Sequence, residues 1–149
     1  MDRVSDSTFP EAVRGRVQAG KGDAAHWLAL FNDAYVRKTG MVIFPGSLNV
    51  ALDIPFDWFA PRWQPFVVWF GREDYGGERD ILLLPCLLSS LRAQRAFLWS
   101  TTTAARAPED RRLVEIIASV GLRAAYGLQD GDVIDIELPT GPHPAPAAG

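Results

Sequence analysis

The strand-like segments of this sequence are short, and turns that contain glycine separate most of them. Some segments alternate between apolar and polar residues, as a half-buried strand does, and others are the short apolar runs of a fully buried strand. By these criteria strands are predicted over residues 13–19, 26–31, 48–52, 66–70, 81–88, 96–103, 114–118 and 133–138. Only two short helices are predicted, over 33–38 and 121–126. Many short strands with few helices favour a β-barrel over a sandwich or an alternating α/β fold.

The connections are predicted from their glycine, proline and capping residues. The glycine-rich segment 20–23 lies between the first two predicted strands and is interpreted as a hairpin loop. Asn32 or Asp33 is the expected cap of the first helix, and Gly40 is expected to end it. Residues 54–64 are rich in proline and aromatic residues, which predicts an irregular connection packed onto the barrel. Further loops are predicted over residues 72–80 and 104–110.

Length and composition fit one folded domain. The chain has 149 residues, of which 48% are hydrophobic, so a disordered body is excluded. We expect a flexible segment at 1–12, a barrel domain at 13–138 and a disordered tail at 139–149, where proline and alanine dominate.

Charge and residue counts exclude several functional classes. A net charge of −3 argues against nucleic acid as the main partner. The longest apolar run, 81–88, is too short to span a bilayer, so we expect no membrane partner and a cytoplasmic location. The single cysteine, Cys86, excludes an internal disulfide, and His26 and His143 lack the spacing of zinc ligands. Composition gives no indication of oligomeric state.

Residues 44–53 carry the most distinctive polar pattern. Pro45 and Gly46 form a turn signal, after which Leu48, Val50 and Leu52 alternate with polar or small residues. Ser47 and Asn49 therefore share the face opposite to these apolar side chains. Two neutral oxygen ligands side by side suit a hard cation such as Mg²⁺. The pattern is equally typical of the polar outer face of an ordinary strand.

Three other polar features, the glycine-rich loop, Lys21 and Arg123, have two interpretations each. The backbone of the glycine-rich loop can bind phosphate oxygens, although a hairpin turn also explains Gly20 and Gly22. Lys21 and Arg123 can each contact a phosphate or simply be solvated. Glu115, taken alone, is a solvent-facing strand carboxylate.

Three separated segments together resemble the archaeal CTP-dependent riboflavin kinase family. The segments are GRVQAGKGDA at 15–24, TG at 39–40 with PGSLNVALD at 45–53, and EIIASVGLR at 115–123 with GLQDGD at 127–132. The resemblance implies a closed six-stranded cradle-loop barrel with two short helices. It also implies transfer of the terminal phosphate of CTP to the ribityl 5′-hydroxyl of riboflavin, which gives FMN and CDP with Mg²⁺ as cofactor.

The same resemblance assigns roles to individual residues. Ser47 and Asn49 fall on the family's metal ligands, and Thr103 and Glu115 on its flavin-contacting residues. Glu115 is also the expected catalytic group that orients or deprotonates the attacking hydroxyl. The implied nucleotide-binding residues are Gly20, Lys21, Gly22, Asp23, Ala24, Ala25, Val120, Gly121, Leu122 and Arg123.

The sequence departs from the family at three places. Ser47 replaces a threonine and keeps the hydroxyl, whereas Ala24 replaces a usual glycine and would be strained if its φ were positive. The segment that leads from residues 101–110 to Glu115 is longer than in the family. A kinase with a changed acceptor or nucleotide, or a barrel that binds nucleotide or flavin without turnover, is therefore the alternative. The five tryptophans are candidates for a flavin platform but are more typical of a core.

Overall fold

Antiparallel pairing closes six strands of this chain into a barrel. The computed structural model describes residue 9 and residues 11–20, 23–108 and 110–140. The strands are β1 (Glu11–Gln18), β2 (Leu48–Leu52), β3 (Val68–Phe70), β4 (Ile81–Leu88), β5 (Gln94–Thr101), β6 (Leu113–Ala118) and β7 (Val133–Leu138). They pair in the order β3-β4-β5-β6-β2-β1-β7, and β7 returns to pair with β4. The predicted closed six-stranded barrel is confirmed, with β3 as one extra strand.

β4 allows both the closure and the extra strand, because its two ends have different neighbours. Residues 81–83 pair with β3, while Leu87 and Leu88 lie opposite Glu137 and Ile136 of β7. A barrel closed in this way leaves little exposed sheet edge. The long apolar run that the sequence shows at 81–88 thus serves two sets of partners.

Alternate side chains of the strands fill the barrel interior. Val50, Ile134 and Ile136 are fully buried there, as is Leu84 of β4. Cys86 lies in the same interior, and its burial raises the pKa of its thiol. The predicted irregular connection at 54–64 is confirmed, since its aromatic side chains pack against this core.

A second core lies between the outside of the barrel and the helices. The helices are α1 (Asp23–Leu30), α2 (Asn32–Thr39), α3 (Arg72–Tyr75), α4 (Thr102–Arg106) and α5 (Leu122–Tyr126), and a single 3₁₀ turn covers Ser89–Leu91. Leu28 and Tyr35 from the helices pack with Leu83, Trp99 and Ile117 from the strands. β4 is therefore buried on both faces at its start, which explains its uninterrupted apolar sequence.

The prediction of a strand over residues 26–31 is wrong, because residues 26–30 belong to α1 and Phe31 is the N-cap residue of α2. Ala24 and Leu28 are buried while Trp27 and Leu30 are exposed, which is the helical rather than the two-residue period. A short apolar run without alternation is ambiguous between the two structures. The hairpin expected around residues 20–23 is therefore absent from the described part of the chain, where β1 pairs with β2 and β7 instead.

Helix α2 is confirmed, and its capping is partly as predicted. Gly40 ends the helix in the left-handed conformation with φ 72°. Phe31 occupies the N-cap position and gives no side-chain hydrogen bond, so neither Asn32 nor Asp33 caps the helix. The packing of Phe31 at the junction between α1 and α2 takes the place of a polar cap.

The prediction of only two helices is also wrong for the described residues. The segments predicted as loops at 72–80 and 104–110 contain α3 and most of α4. α4 begins because the Thr101 side chain caps it, accepting a hydrogen bond from the Ala104 N–H at 3.1 Å. None of the described helices is long and apolar enough to cross a bilayer.

The connection between β4 and β5 carries backbone strain. Arg92 and Ala93 have φ values of 57° and 54°, in the left-handed region that disfavours side chains other than glycine. Both residues are exposed, so no packing requires a side chain at either position.

We expect Ala93→Gly to raise the free energy of unfolding by about 0.5–1 kcal/mol, because glycine adopts this φ without steric cost. The matched control is Ala124→Gly on the exposed face of α5, where the same change should lower the free energy of unfolding by about 0.5–1 kcal/mol. Urea unfolding of the two variants measures both values. A loss of stability in Ala93→Gly would contradict the strain.

Candidate functional site

The candidate site is centred on Asn49 in the middle of three adjacent strands. In the antiparallel register Asn49 lies opposite Gln18 of β1 on one side and Glu115 of β6 on the other. Its neighbours Leu48 and Val50 point into the barrel core. Because side chains alternate along a strand, Asn49 points away from the core, toward the helices.

Ser47 and Glu115 are joined by a hydrogen bond. The Ser47 hydroxyl donates to Glu115 Oε1 at 2.7 Å, and both side chains are half-buried. A carboxylate only accepts, so the hydroxyl uses its proton in this bond and presents lone pairs to any other partner. The predicted metal ligands Ser47 and Asn49 and the predicted catalytic Glu115 are thus brought together, with a hydroxyl, an amide and a carboxylate oxygen in one cluster.

Gly20 is required here for space. A Cβ atom built on Gly20 would lie 1.8 Å from Asn49 Nδ2 and 2.6 Å from its Cγ. The φ of Gly20 is not in the left-handed region, so the glycine serves close approach rather than an unusual backbone conformation. The end of β1 and the amide of Asn49 therefore fit together only because this position has no side chain.

Two cavities meet at this contact. The larger has a volume of 810 Å³ and the smaller 200 Å³, and both are lined by Gln18, Gly20, Ala24 and Asn49. Ser47 and Arg123 line only the smaller cavity, whereas Glu115 lines only the larger one. The cluster of oxygen atoms consequently stands at the border between two separate binding spaces.

Arg123 of α5 is a charged residue in the lining of the smaller cavity, and it forms an ion pair with Asp130. Its Nη2 donates to Asp130 Oδ1 at 2.6 Å and to the Gln18 carbonyl at 3.1 Å. Both contacts come from one nitrogen of a guanidinium that carries five N–H donors, so the group is positioned yet retains capacity for an anion. The bond to Gln18 ties α5 to the end of β1.

The remaining predicted residues of the second nucleotide segment lie around α5. Gly121 packs against the ring of Phe44, since a Cβ atom there would lie 2.9 Å from Phe44 Cζ. Leu122 is buried in the barrel core, and Val120 is half-buried against it. Neither Val120 nor Leu122 is among the residues that line the two cavities.

The first nucleotide segment is described only in part. Lys21 and Gly22 lie outside the described residues, and Asp23 is described only as the first residue of α1. Ala24 lines both cavities and Ala25 the smaller one, from the first turn of α1. Ala24 has no positive φ, so the alanine that replaces a usual glycine is not strained.

Thr103 is another predicted site residue that lines neither cavity. It is exposed on α4, while its neighbours Thr101 and Ala104 line the larger cavity. Thr101 caps α4, so the helix begins directly after β5. Thr103 therefore lies in the first turn of the helix and not on the strand. The assignment of Thr103 to the flavin remains a prediction.

Aromatic side chains line the larger cavity: Trp27, Phe31, Tyr35, Tyr75 and Trp99. Two of them, Trp27 and Trp99, belong to the five tryptophans considered from the sequence, whereas Phe31, Tyr35 and Tyr75 were not singled out. Burial raises the pKa of both tyrosines, so the two phenols stay neutral at ordinary pH. Tyr35 accepts a hydrogen bond from Trp99 Nε1 at 2.7 Å, and Tyr75 donates to the Arg79 carbonyl. Trp27, Phe31 and Tyr35 follow one another at intervals of four residues, which places side chains on one face of a helix. This spacing was the sequence signal that could have predicted an aromatic face, but only if a helix had been assumed here.

The oxygen cluster suits a magnesium-type ion better than a transition metal. Within the described segments no group of three or more His, Cys, Asp or Glu side chains could hold a metal ion. Ser47, Asn49 and Glu115 offer only oxygen donors, which hard cations prefer. The donor chemistry of these residues therefore fits Mg²⁺.

Comparison with known proteins places the chain in a family. A family model named CTP-dep_RFKase, with the description "Domain of unknown function DUF120", matches residues 17–138. The chain belongs to this family. The match includes every described residue of the oxygen cluster and of both cavities, and it confirms the family expected from the three sequence segments.

Curated relatives in this family carry the name riboflavin kinase. Those of Pyrobaculum arsenaticum and Pyrobaculum aerophilum are 31% and 32% identical to the chain, over 83% of it and 59% of their own length. The relative from Methanothermobacter thermautotrophicus is 28% identical over 83% of the chain and 96% of its own length. The chain thus spans somewhat more than half the length of the first relatives it matches and nearly all of the Methanothermobacter protein.

We expect Gly20→Ala to lower the free energy of unfolding by about 1 kcal/mol, because the added methyl group overlaps the Asn49 amide and forces that side chain to move. In an Asn49→Ala background the overlap is gone, and the same change should cost less than about 0.5 kcal/mol. Chemical unfolding of the wild type, the two single variants and the double variant measures this coupling. Equal costs in both backgrounds would contradict the role of Gly20 as a space for Asn49.

Proposed function

We propose that this protein is a CTP-dependent riboflavin kinase that transfers the terminal phosphate of CTP to the 5′-hydroxyl of riboflavin and gives FMN and CDP. The observation that carries the proposal is the cluster of Ser47, Asn49 and Glu115 at the border between two cavities of different character. Relatives named riboflavin kinase support the acceptor, and the family name supports CTP. The relative matched over 96% of its length supports assigning the activity to the shared segment.

The smaller cavity is the proposed place of the transferred phosphate. Phosphoryl transfer depends mainly on positioning and on neutralising charge around the phosphate oxygens. Arg123 supplies a fixed positive charge there, and the Ser47 hydroxyl lies in the same wall. The absence of a side chain at Gly20 leaves room for the Asn49 amide at the edge of this cavity.

Ser47 and Asn49 are the proposed protein ligands of Mg²⁺. The Ser47 hydroxyl donates a hydrogen bond to Glu115, so the lone pairs of its oxygen remain available to a cation. An amide and a hydroxyl contribute no net charge, which suits an ion that takes its other ligands from phosphates and water. When bound, Mg²⁺ offsets negative charge on the nucleotide phosphates. Ser47 and Asn49 would hold it at the smaller cavity, which both side chains line.

Glu115 is the proposed orienting group for the acceptor. It is the only member of the oxygen cluster with an ionisable side chain, and it lines the larger cavity rather than the smaller one. A hydroxyl that enters from the larger cavity can donate to this carboxylate and point its oxygen toward the smaller cavity. The Ser47 bond holds the carboxylate in place for that contact.

The larger cavity suits a flat acceptor of the size of riboflavin. Its 810 Å³ falls within the range of about 300–1,000 Å³ that is typical of small-molecule sites. Aromatic side chains form one part of its lining, and the polar groups at Gln18, Asn49 and Glu115 form another. A molecule with an aromatic ring system at one end and a polyol at the other matches this division.

We expect the purified protein to convert riboflavin to FMN in the presence of Mg²⁺ and CTP, and to do so more slowly with ATP, GTP or UTP. Separation of flavins by chromatography with fluorescence detection measures the product. Equal rates with all four nucleotides would contradict the CTP assignment alone. If no nucleotide yields FMN while CDP still binds in calorimetry, the proposal is wrong in favour of a non-catalytic nucleotide-binding barrel.

We expect Glu115→Gln to lower kcat by about 10²–10⁴-fold, the usual contribution of a positioned acid or base. The amide oxygen can still accept the Ser47 hydrogen bond, so CDP affinity and thermal stability should change little. Glu73→Gln on the exposed face of α3, away from both cavities, is the matched control and should leave kcat unchanged. A Glu115→Gln enzyme with wild-type kcat would remove Glu115 from the catalytic role.

A further inference from the structure

The larger cavity contains a row of three aromatic side chains, Trp27, Phe31 and Tyr75, that we call the aromatic row. The rings of Trp27 and Phe31 are nearly parallel, with an interplanar angle of 6° and centroids 6.2 Å apart. Phe31 meets Tyr75 edge to face at 4.9 Å. All three line the same cavity as Glu115.

The aromatic row is anchored in the second core. Tyr75 packs against Phe70 at 4.8 Å, and Phe70 packs edge to face against Tyr35 at 5.1 Å. Tyr35 is in turn fixed by its buried hydrogen bond from Trp99. The row therefore presents rings whose orientation is set by buried partners, so little conformational entropy is lost when a ligand binds to it.

Trp27 differs from the other members because it is solvent-exposed, and the ring of His26 meets it edge to face at 4.9 Å. Its exposed fraction is 44%, although α1 has a buried face that holds Ala24 and Leu28. Trp69 on β3 is also 44% exposed, so exposure alone does not distinguish a ligand-binding tryptophan from an ordinary surface one. Unlike Trp69, Trp27 lines the larger cavity and lies parallel to a second ring.

We propose that Trp27 is the stacking platform for the isoalloxazine ring of riboflavin, an inference that rests on the proposed kinase function. Aromatic rings bind flat heterocycles through their faces, and indole provides the largest face among the side chains. Glu115 lies in the same cavity, so a ring held at Trp27 leaves the ribityl chain to reach the carboxylate. Trp27 then determines which acceptor is bound and makes no contact with the transferred phosphate.

The variants Trp27→Ala and Trp27→Phe test this role, with Trp69→Ala as the control of equal exposure. Riboflavin affinity is measured by flavin fluorescence in the presence of Mg²⁺ and CDP. We expect Trp27→Ala to weaken riboflavin binding and raise its KM about tenfold, within the range measured for base–aromatic stacking. Trp27→Phe should recover most of the affinity, and CDP affinity should be unchanged in every variant.

Lumichrome, which has the ring system but no ribityl chain, isolates the ring contact. As an inhibitor it should lose about the same factor as riboflavin in Trp27→Ala, because stacking is its main interaction. Wild-type riboflavin affinity in Trp27→Ala, or an equal loss in Trp69→Ala, would overturn the proposal. A loss of CDP affinity instead of riboflavin affinity would also overturn it, since Trp27 would then stack on the nucleotide base.

The two proposals fail in different ways. A wild-type protein that makes FMN, with Trp27→Ala kinetically unchanged, overturns the platform and leaves the kinase function intact. A wild-type protein that makes no FMN overturns the kinase function. In that case fluorescence titration with riboflavin still decides the platform, because a retained tenfold difference supports it and equal binding, or no binding, overturns it.

Discussion

The antiparallel register of β2 between β1 and β6 is the constraint on which the candidate site depends. It aligns Gln18, Asn49 and Glu115 across three strands. A shift by one residue would turn Leu48 and Val50 outward and bury Asn49 in the barrel. Burial of an unpaired amide costs about 2–7 kcal/mol, in addition to the lost burial of the apolar side chains. The hydrophobic core therefore fixes the register, and the register places the polar cluster.

The helices turn this polar strand face into a site. Without α1 and α2, Asn49 and Glu115 would lie on an open barrel surface of the kind that the sequence pattern also allowed. The second core attaches the helices to the outer face of β4, β5 and β6 and leaves space next to the polar cluster. Gly20 and Arg123 then close the smaller cavity from the side of β1 and α5. The barrel core and the second core thus position two different cavities, the smaller one lined by Arg123 and the larger one lined by aromatic rings.

The parts of the fold that depend on local chemistry could be predicted from the sequence. The alternation at Leu48, Val50 and Leu52 and at residues 133–138 gave the strands, and Gly40 and Gly127 gave the helix ends. Residues 26–31 were misassigned because a short apolar run has no period, and its structure is decided by packing against distant strands. The tryptophans were considered from the sequence, but the grouping of Trp27 with Phe31 and Tyr75 was missed, since these rings come together only when α1 and α3 are placed on the barrel.

The departures from the family differ in their structural consequences. Ser47 retains the hydroxyl that bonds Glu115, and Ala24 adopts a helical conformation that any residue tolerates, so the small cavity accommodates both. The segment before Glu115 has a larger consequence, because Thr101 caps α4 and Thr103 lies exposed on that helix, outside the cavity. A polar contact that Thr103 would make with the acceptor must then come from another residue, and Thr101 lines the cavity at that end. In the proposed kinase, Thr101 and the other polar side chains of the cavity would contact the polar part of the acceptor, and the exposed Trp27 would contact its ring system.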